Sequence, residues 1–233
     1  MEKIKLFDLK SLGEIEKGIF IERPNRFVGI CKIKNEKKVC HIADPGRLKE
    51  ILTNGRQILA VKNKPEMKTE YKIIAAKMED GWILLNTSFH SKIALNAIKA
   101  GVLGFIPEKV KAEVKFGESR LDYLIDEKVF VELKGSNLLI DKKCVFPDAP
   151  TKRGTRHINE LIKAKEKGFE AVILIMGLRE CKCFRTNKDL DPEFSSVFQE
   201  ALEKGVKFVG FKIKIDKDMN IVLNGKMELC DGK

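Results

Sequence analysis

Residues 170–176, EAVILIM, constrain the fold more than any other stretch of this chain. They are apolar almost throughout and too short for a core helix, so they read as a strand covered on both faces. A strand without a polar face needs a layer above and a layer below, which means helices packed on a sheet. The neighbouring sequence supplies both. One helix is expected over residues 155–167, with Ile158, Leu161 and Ile162 inward and Gly168 as its stop. A second follows Asp191-Pro192, where Phe194, Val197, Phe198, Ala201 and Leu202 recur at helical spacing up to Gly205. Residues 208–215 and 220–223 then close the sheet.

Upstream, residues 113–134 read EVKFGESRLDYLIDEKVFVELK. Two strands, 119–125 and 129–134, are joined by Asp126-Glu127-Lys128. In the second strand Phe130, Glu132 and Lys134 share one side, and Val131 and Leu133 the other. Asp122 lies near the middle of the first strand, where it pairs close to Glu132. Two carboxylates and one ammonium thus converge on one patch of sheet. That is the minimum set for holding a hard divalent cation and activating a water beside it. Arg120 shares the Asp122 side, either to hold a phosphate or to pair a carboxylate. With the following helix and EAVILIM, the second strand forms a right-handed crossover unit.

The first third follows a different pattern. Five β-like runs (15–22, 27–34, 38–43, 56–62 and 71–78) are broken by turn signals at Asn35-Glu36-Lys37 and Asn54-Gly55. Asp44-Pro45-Gly46 leads into a short helical piece at 47–52. Five strands with a helix between the third and fourth suggest an OB-like barrel, a fold that grips nucleic acids. Arg23, Arg26 and Arg47 are the expected phosphate contacts. Phe20, Phe27 and Tyr71 are the aromatic candidates for stacking, with Phe27 better suited to the core, and His41 reads as structural. The pattern changes near Gly81. Beyond it Asn86-Thr87-Ser88 and the stripe Ile93, Ala94, Ala97 and Ile98 mark a helix ended by Gly101.

Charge and cysteine usage narrow the function classes. With 45 basic and 34 acidic residues the net charge is +11, and the excess is densest in the first third. That balance favours a polyanionic partner, although a solvated lysine surface would produce it too. No apolar run approaches the length of a membrane span, and the N-terminus lacks an apolar signal core. A cytoplasmic protein without membrane association is expected, and its six cysteines (31, 40, 144, 181, 183 and 230) are expected to be free thiols.

Asp122, nine residues, then Glu132-Leu133-Lys134 resembles the PD-(D/E)-x-K nuclease signature, with Leu121 in place of the leading proline. Around it stand GIFIERPNRF (18–27), HIADPGRL (41–48), Ser119-Arg120-Leu121-Asp122, Phe146-Pro147-Asp148-Ala149, and Arg153-Gly154 with His157. In this order the blocks closely resemble the sugar fermentation stimulation protein A family. The resemblance implies an α/β (overall α+β) chain of two domains. Residues 1–80 would be an OB-like five-stranded basic barrel, and residues 81–233 a nuclease-like mixed sheet flanked by helices. It also implies that Asp122, Glu132, Glu113 and the Leu133 backbone carbonyl bind Mg²⁺ or Mn²⁺ while Lys134 orients the water. Asp148, His157 and Glu160 would support the site, and Arg153 would join Arg23, Arg26, Arg47 and Arg120 as nucleic-acid contacts. On its residues alone, Glu160 fits an exposed helix position equally well. The chain departs from the family at Gly135-Ser136-Asn137-Leu138, where a continuation richer in hydroxyl and β-branched residues is expected. DNA is the expected partner and metal-dependent phosphodiester hydrolysis the expected activity. A DNA-binding regulator of sugar metabolism genes that does not cut stays open, as does an RNA-directed nuclease or binder. The oligomeric state is also open, a homodimer being one option.

Overall fold

The computed structural model describes residues 4–230. It divides into two units. The first runs up to Ile93 and takes back Lys214–Val222; the second comprises Ala94–Ile213 and the chain from Leu223 onward.

In the first unit, β1 (Lys5–Asp8) leads through a 3-10 turn into β2 (Ile15–Asn25), β3 (Val28–Ile33), β4 (Glu36–Ile42), β5 (Gln57–Lys62), β6 (Tyr71–Met78) and β7 (Gly81–Leu84). Five of these close into the expected OB-like barrel. Strand β2 lies between β3 and β5, β5 pairs with β6, and β4 meets β6 in parallel to shut the ring. Closure removes the free edges that an open sheet would expose. The barrel interior collects the inward alternate residues, among them Phe20, Cys31, Ile33, Cys40, Ile42, Ile58 and Ile73. The β3–β4 turn, Lys34-Asn35, has positive φ at both residues, the geometry that lets a two-residue loop follow the strand twist.

Several expectations change in this unit. The helix expected at 47–52 is a single turn, closed by Leu52 N–H on the Leu48 carbonyl at 2.8 Å. Pro45-Gly46 before it and Asn54-Gly55 after it leave too few residues to propagate a helix. Phe20 and Tyr71 are buried, whereas Phe27 sits in the β2–β3 turn and is 51% exposed. Gly81 opens a strand that pairs with β6, and the two units divide later, within α1 (His90–Lys99).

The second unit contains β8 (Val110–Phe116), β9 (Ser119–Ile125), β10 (Val129–Ser136), β11 (Leu138–Ile140) and β12 (Lys143–Phe146). After them come α2 (Lys152–Glu166), β13 (Glu170–Gly177), β14 (Phe184–Thr186), α3 (Pro192–Glu203), and β15 (Lys207–Ile215) and β16 (Asn220–Lys226) apart from their residues within Lys214–Val222. The main sheet runs β16-β15-β13-β10-β9-β8. Its centre, β10, β13 and β15, is parallel and joined by the helical crossovers α2 and α3; β8, β9 and β10 form an antiparallel meander. Strand β13 is the EAVILIM run, buried at every residue after Glu170. Ile158, Leu161 and Ala164 of α2 pack with Phe194, Phe198 and Ala201 of α3 against Phe130, Ile173 and Ile175. Asp191 caps α3 through the Phe194 N–H at 3.0 Å, and its second oxygen takes the Thr151 N–H at 2.8 Å. One carboxylate thereby ties together the starts of both helices.

A small sheet, β11-β12-β14, lies beside the main one in this unit. It brings about a correction: Cys144–Cys181 and Cys183–Cys230 are disulfides, with Cα–Cα separations of 5.5 and 4.8 Å. Only Cys31 and Cys40 are free thiols. The Cys144 N–H bonds the Cys183 carbonyl at 2.9 Å, so pairing between distant segments sets the bridging distance, which residue spacing does not reveal. No helix among the described residues is long and apolar enough to cross a membrane.

Candidate active site

The β9–β10 turn, Asp126-Glu127, has positive φ at both residues and sets the register: Val129 faces Ile125, Phe130 faces Leu124, and Val131 faces Tyr123. There the ladder stops. The Leu133 N–H bonds the Asp122 carboxylate at 2.7 Å instead of a β9 carbonyl. A strand residue presents its N–H and C=O to the same edge, so the Leu133 carbonyl also lies toward Asp122. The two strands part where the acidic residues begin.

Glu132 is 2% exposed. Its Oε1 accepts hydrogen bonds from Lys134 Nζ, two residues along the same strand, and from His157 Nδ1 on α2 at 2.5 Å. Its Oε2 is buried with no hydrogen-bond partner among the described residues. One turn earlier on α2, Arg153 Nε donates to His157 Nε2 at 3.4 Å. A guanidinium only donates, so Nε2 is the acceptor and the ring proton belongs on Nδ1. His157 is therefore the donor that aims Glu132. The signal for this chain of contacts was present as the four-residue spacing of Arg153 and His157, which the sequence reading assigned to separate roles.

The two carboxylates sit in different electrostatic environments. Burial pushes Glu132 up, but the Lys134 charge and the hydrogen bonds from His157 and Lys134 outweigh it and hold the group below the usual carboxylate range. Asp122 has less compensation. Burial and then the Glu132 charge push it up to about 6, against Lys134 and the Leu133 N–H, with Glu113 adding to the rise. Glu113 is exposed, but its charge reaches Asp122. Its φ of 53° interrupts β8, and the β8–β9 ladder pairs Ala112 with Tyr123 and Val114 with Leu121, skipping the position between.

The other candidates separate. Glu160 is 1% exposed; Lys163 Nζ donates to its Oε1 at 2.8 Å. A Cβ placed on Gly117 would lie 2.1 Å from its Oε2. Glu160 is thus lodged under the β8–β9 turn and is not the exposed helix residue. Arg120 is exposed on β9, opposite Lys115, and Asp148 is half-buried in the loop from β12 to α2. Among the described residues no three acidic, His or Cys side chains are already gathered as a metal cluster. The half-buried Asp122 and the buried Glu132 are the nucleus.

In the first unit the arginines also divide. Arg23 donates to the carbonyls of Arg26 and Arg47, each at 2.7 Å, and to those of Gly46 and Asp44 at 3.0 and 3.2 Å. This guanidinium organises two loops and holds Arg26 and Arg47 exposed on them. The sequence reading grouped all three as phosphate contacts.

Comparison with known proteins also finds two parts in the chain. Residues 21–85 match the SfsA N-terminal OB domain, and residues 88–219 match the Sugar fermentation stimulation protein RE domain. A sugar fermentation stimulation protein homolog of Methanococcoides burtonii is 45% identical over 206 residues, covering 80% of this chain and 81% of its own length. That of Sulfolobus acidocaldarius is 43% identical over 208 residues, covering 86% and 87%. Among solved structures, Pyrococcus furiosus SfsA in complex with Ca²⁺ superimposes with a TM-score of 0.86 at 31% identity, covering 97% of this chain and 99% of that one.

Proposed function

The chain belongs to the sugar fermentation stimulation protein family, and from that premise we propose that it binds DNA and that its second unit is a divalent-metal-dependent phosphodiesterase. The observation that carries the reading is the meeting of Asp122, Glu132 and Lys134 where β9 and β10 part, with the Leu133 N–H on Asp122 and His157 on Glu132. A surface that only binds phosphate gains nothing from buried carboxylates, which repel it.

Asp122, Glu132 and the Leu133 carbonyl, joined by Glu113, are the groups that would hold Mg²⁺ or Mn²⁺. They fit such an ion. The donors are all oxygen, Glu132 Oε2 is buried without a partner among the described residues, and Asp122 is raised by burial and by the neighbouring carboxylate; a hard cation relieves both penalties. The Ca²⁺ complex of the Pyrococcus furiosus relative supports a divalent ion in this family. When bound, the ion lowers the pKa of a coordinated water and neutralises charge on the phosphate. The chain's own residues do the rest. Lys134, tethered to Glu132 and 13% exposed at its side chain, donates to the phosphate or orients the attacking water. His157 fixes the Glu132 oxygen, and Arg153 fixes His157. Arg26, Arg47 and Arg120, all exposed, contact the phosphate backbone, in keeping with the net charge of +11.

A second reading, DNA binding without cleavage, draws on the lack of a preformed three-residue metal cluster among the described residues. Plasmid cleavage and filter binding with Mg²⁺, Mn²⁺ or EDTA separate the two, using wild type, Glu132→Gln and Lys134→Ala. Metal-dependent nicking that both variants lose while still binding supports the phosphodiesterase. Binding with no nicking under either metal leaves the non-cleaving reading.

A further inference from the structure

The barrel of the first unit carries a basic cavity that the sequence reading did not find. It measures about 450 Å³, and its lining includes Lys17, Ile19, Lys32, Lys34, Gln57 and Trp82. Strand register explains why these residues converge. Lys32 on β3 lies opposite Ile19 on β2, Ile19 lies opposite Gln57 on β5, and Lys77 on β6 lies opposite Trp82 on β7. Each of these pairs shares a face, and Lys17, two residues before Ile19, shares the outer face with it. The result is a row of outward side chains with lysines at one end and an indole at the other.

Charge and aromatic character are both available to a ligand here. Lys34 is paired with Glu16, which raises its pKa through that hydrogen bond. Lys17 and Lys32 are exposed, and neither is paired with a carboxylate among the described residues. No acidic residue lines the cavity. Trp82 is half-buried, with Lys77 Nζ 5.5 Å from its ring centroid, so the indole is held in place on the barrel wall.

We infer that this cavity binds a nucleotide unit, the base stacking on Trp82 and the phosphate held by Lys17 and Lys32. The volume falls within the range of small-molecule sites, every base offers a face to an indole, and lysines answer phosphate charge. Oligonucleotide-binding barrels commonly use the face of their second and third strands and its adjoining loops, which here means β3, β4 and the Arg26-Phe27 turn. The cavity takes in β2, the end of β3 with its following turn, β5 and β7, at the end of the β2–β3 hairpin opposite the Arg26-Phe27 turn, so it is distinct from that loop, and it does not depend on Asp122 or Glu132.

A nucleotide unit can come from a strand or from a free nucleotide. Trp82 is the sole tryptophan of the chain, so its emission reports on this cavity alone. The full-length protein is titrated in EDTA with thymidine monophosphate and, separately, with an eight-residue oligothymidylate. A saturable change in emission is expected for at least one of them. Binding of the octamer roughly tenfold or more tighter than the monophosphate identifies a strand as the source, and equal binding identifies a free nucleotide. The double variant Lys17→Ala, Lys32→Ala, checked by its circular dichroism and melting, is expected to bind roughly tenfold more weakly. Unchanged emission with both probes, or a double variant that responds like wild type, overturns the inference. Because EDTA is present throughout, either failure leaves the metal-dependent reading of the second unit intact.

Discussion

His157 donates its Nδ1 proton to Glu132 at 2.5 Å and holds Arg153 on its other nitrogen. The buried carboxylate is therefore oriented from a helix while its own strand supplies Lys134. Replacing His157 with Phe removes a donor from a carboxylate that is 2% exposed and should destabilise the fold by about 2–4 kcal/mol. Glu132→Gln in the same background should recover part of that loss, because the charge left without its donor is gone. Urea unfolding of the four proteins measures the coupling; simple additivity would show that the contact carries no energy.

Asp122 rises in the fold from its ordinary 3.8 to about 6. A carboxyl that holds its proton more tightly when folded makes the fold lose stability as pH rises between those values, with the loss complete above about 6. A shift of this size corresponds to up to about 3 kcal/mol. Asp122→Asn lacks the penalty and can still accept from the Leu133 N–H. The variant should gain on wild type as pH is raised from 4 to 7. Added Mg²⁺ at pH 7 should then stabilise wild type and narrow the gap. Melting temperatures across pH test both statements, and a constant difference would contradict them.

Arg23 and Arg26 should separate stability from binding. Losing the four carbonyl contacts of Arg23 should cost roughly 2–4 kcal/mol, and Lys cannot replace a planar fork. Arg23→Lys should lower the melting temperature and weaken DNA binding through the disturbed loops. Arg26→Ala should weaken DNA binding and flatten its salt dependence while leaving melting unchanged. A stable Arg23→Lys protein that binds normally would remove Arg23 from its organising role.

The parts of this molecule that were legible in the sequence are those whose signal is local. EAVILIM declares two-sided burial by itself, and the alternation in residues 119–125 and 129–134 places Asp122 and Glu132 on neighbouring strands. The role of Arg23 was hidden because its carbonyl partners lie as many as 24 residues away, and an arginine looks the same whether it faces phosphate or backbone. Trp82 was passed over because Gly81 read as a boundary, whereas it opens β7. Four cysteines were misread for a similar reason, since β12 and β14 are short strands with no periodic signature.

Gly117 and Glu160 should be energetically coupled. Gly117 has a φ of +55°, and a Cβ there would stand 2.1 Å from Glu160 Oε2. Gly117→Ala should cost about 1–3 kcal/mol from backbone strain and the displaced carboxylate together. Combining it with Glu160→Ala should leave the strain and remove the collision, so the paired cost should be less than the sum. Denaturant midpoints of the cycle decide the matter; strict additivity would mean that Glu160 moves aside freely.

The two disulfides give the second unit an unusual polymer identity. Cys144–Cys181 and Cys183–Cys230 close two successive rings separated by the single residue Lys182. The first ring contains Arg153, His157 and all of α2 and β13, so the donors that steer Glu132 belong to a segment whose ends are covalently joined. Each ring removes disorder from the unfolded chain, worth about 4 kcal/mol in the loop-entropy account. With its bridges intact, this chain unfolds into a necklace of two linked hoops; with them reduced, it unfolds into a thread. Samples handled with and without thiol reagents therefore share a sequence but differ in topology.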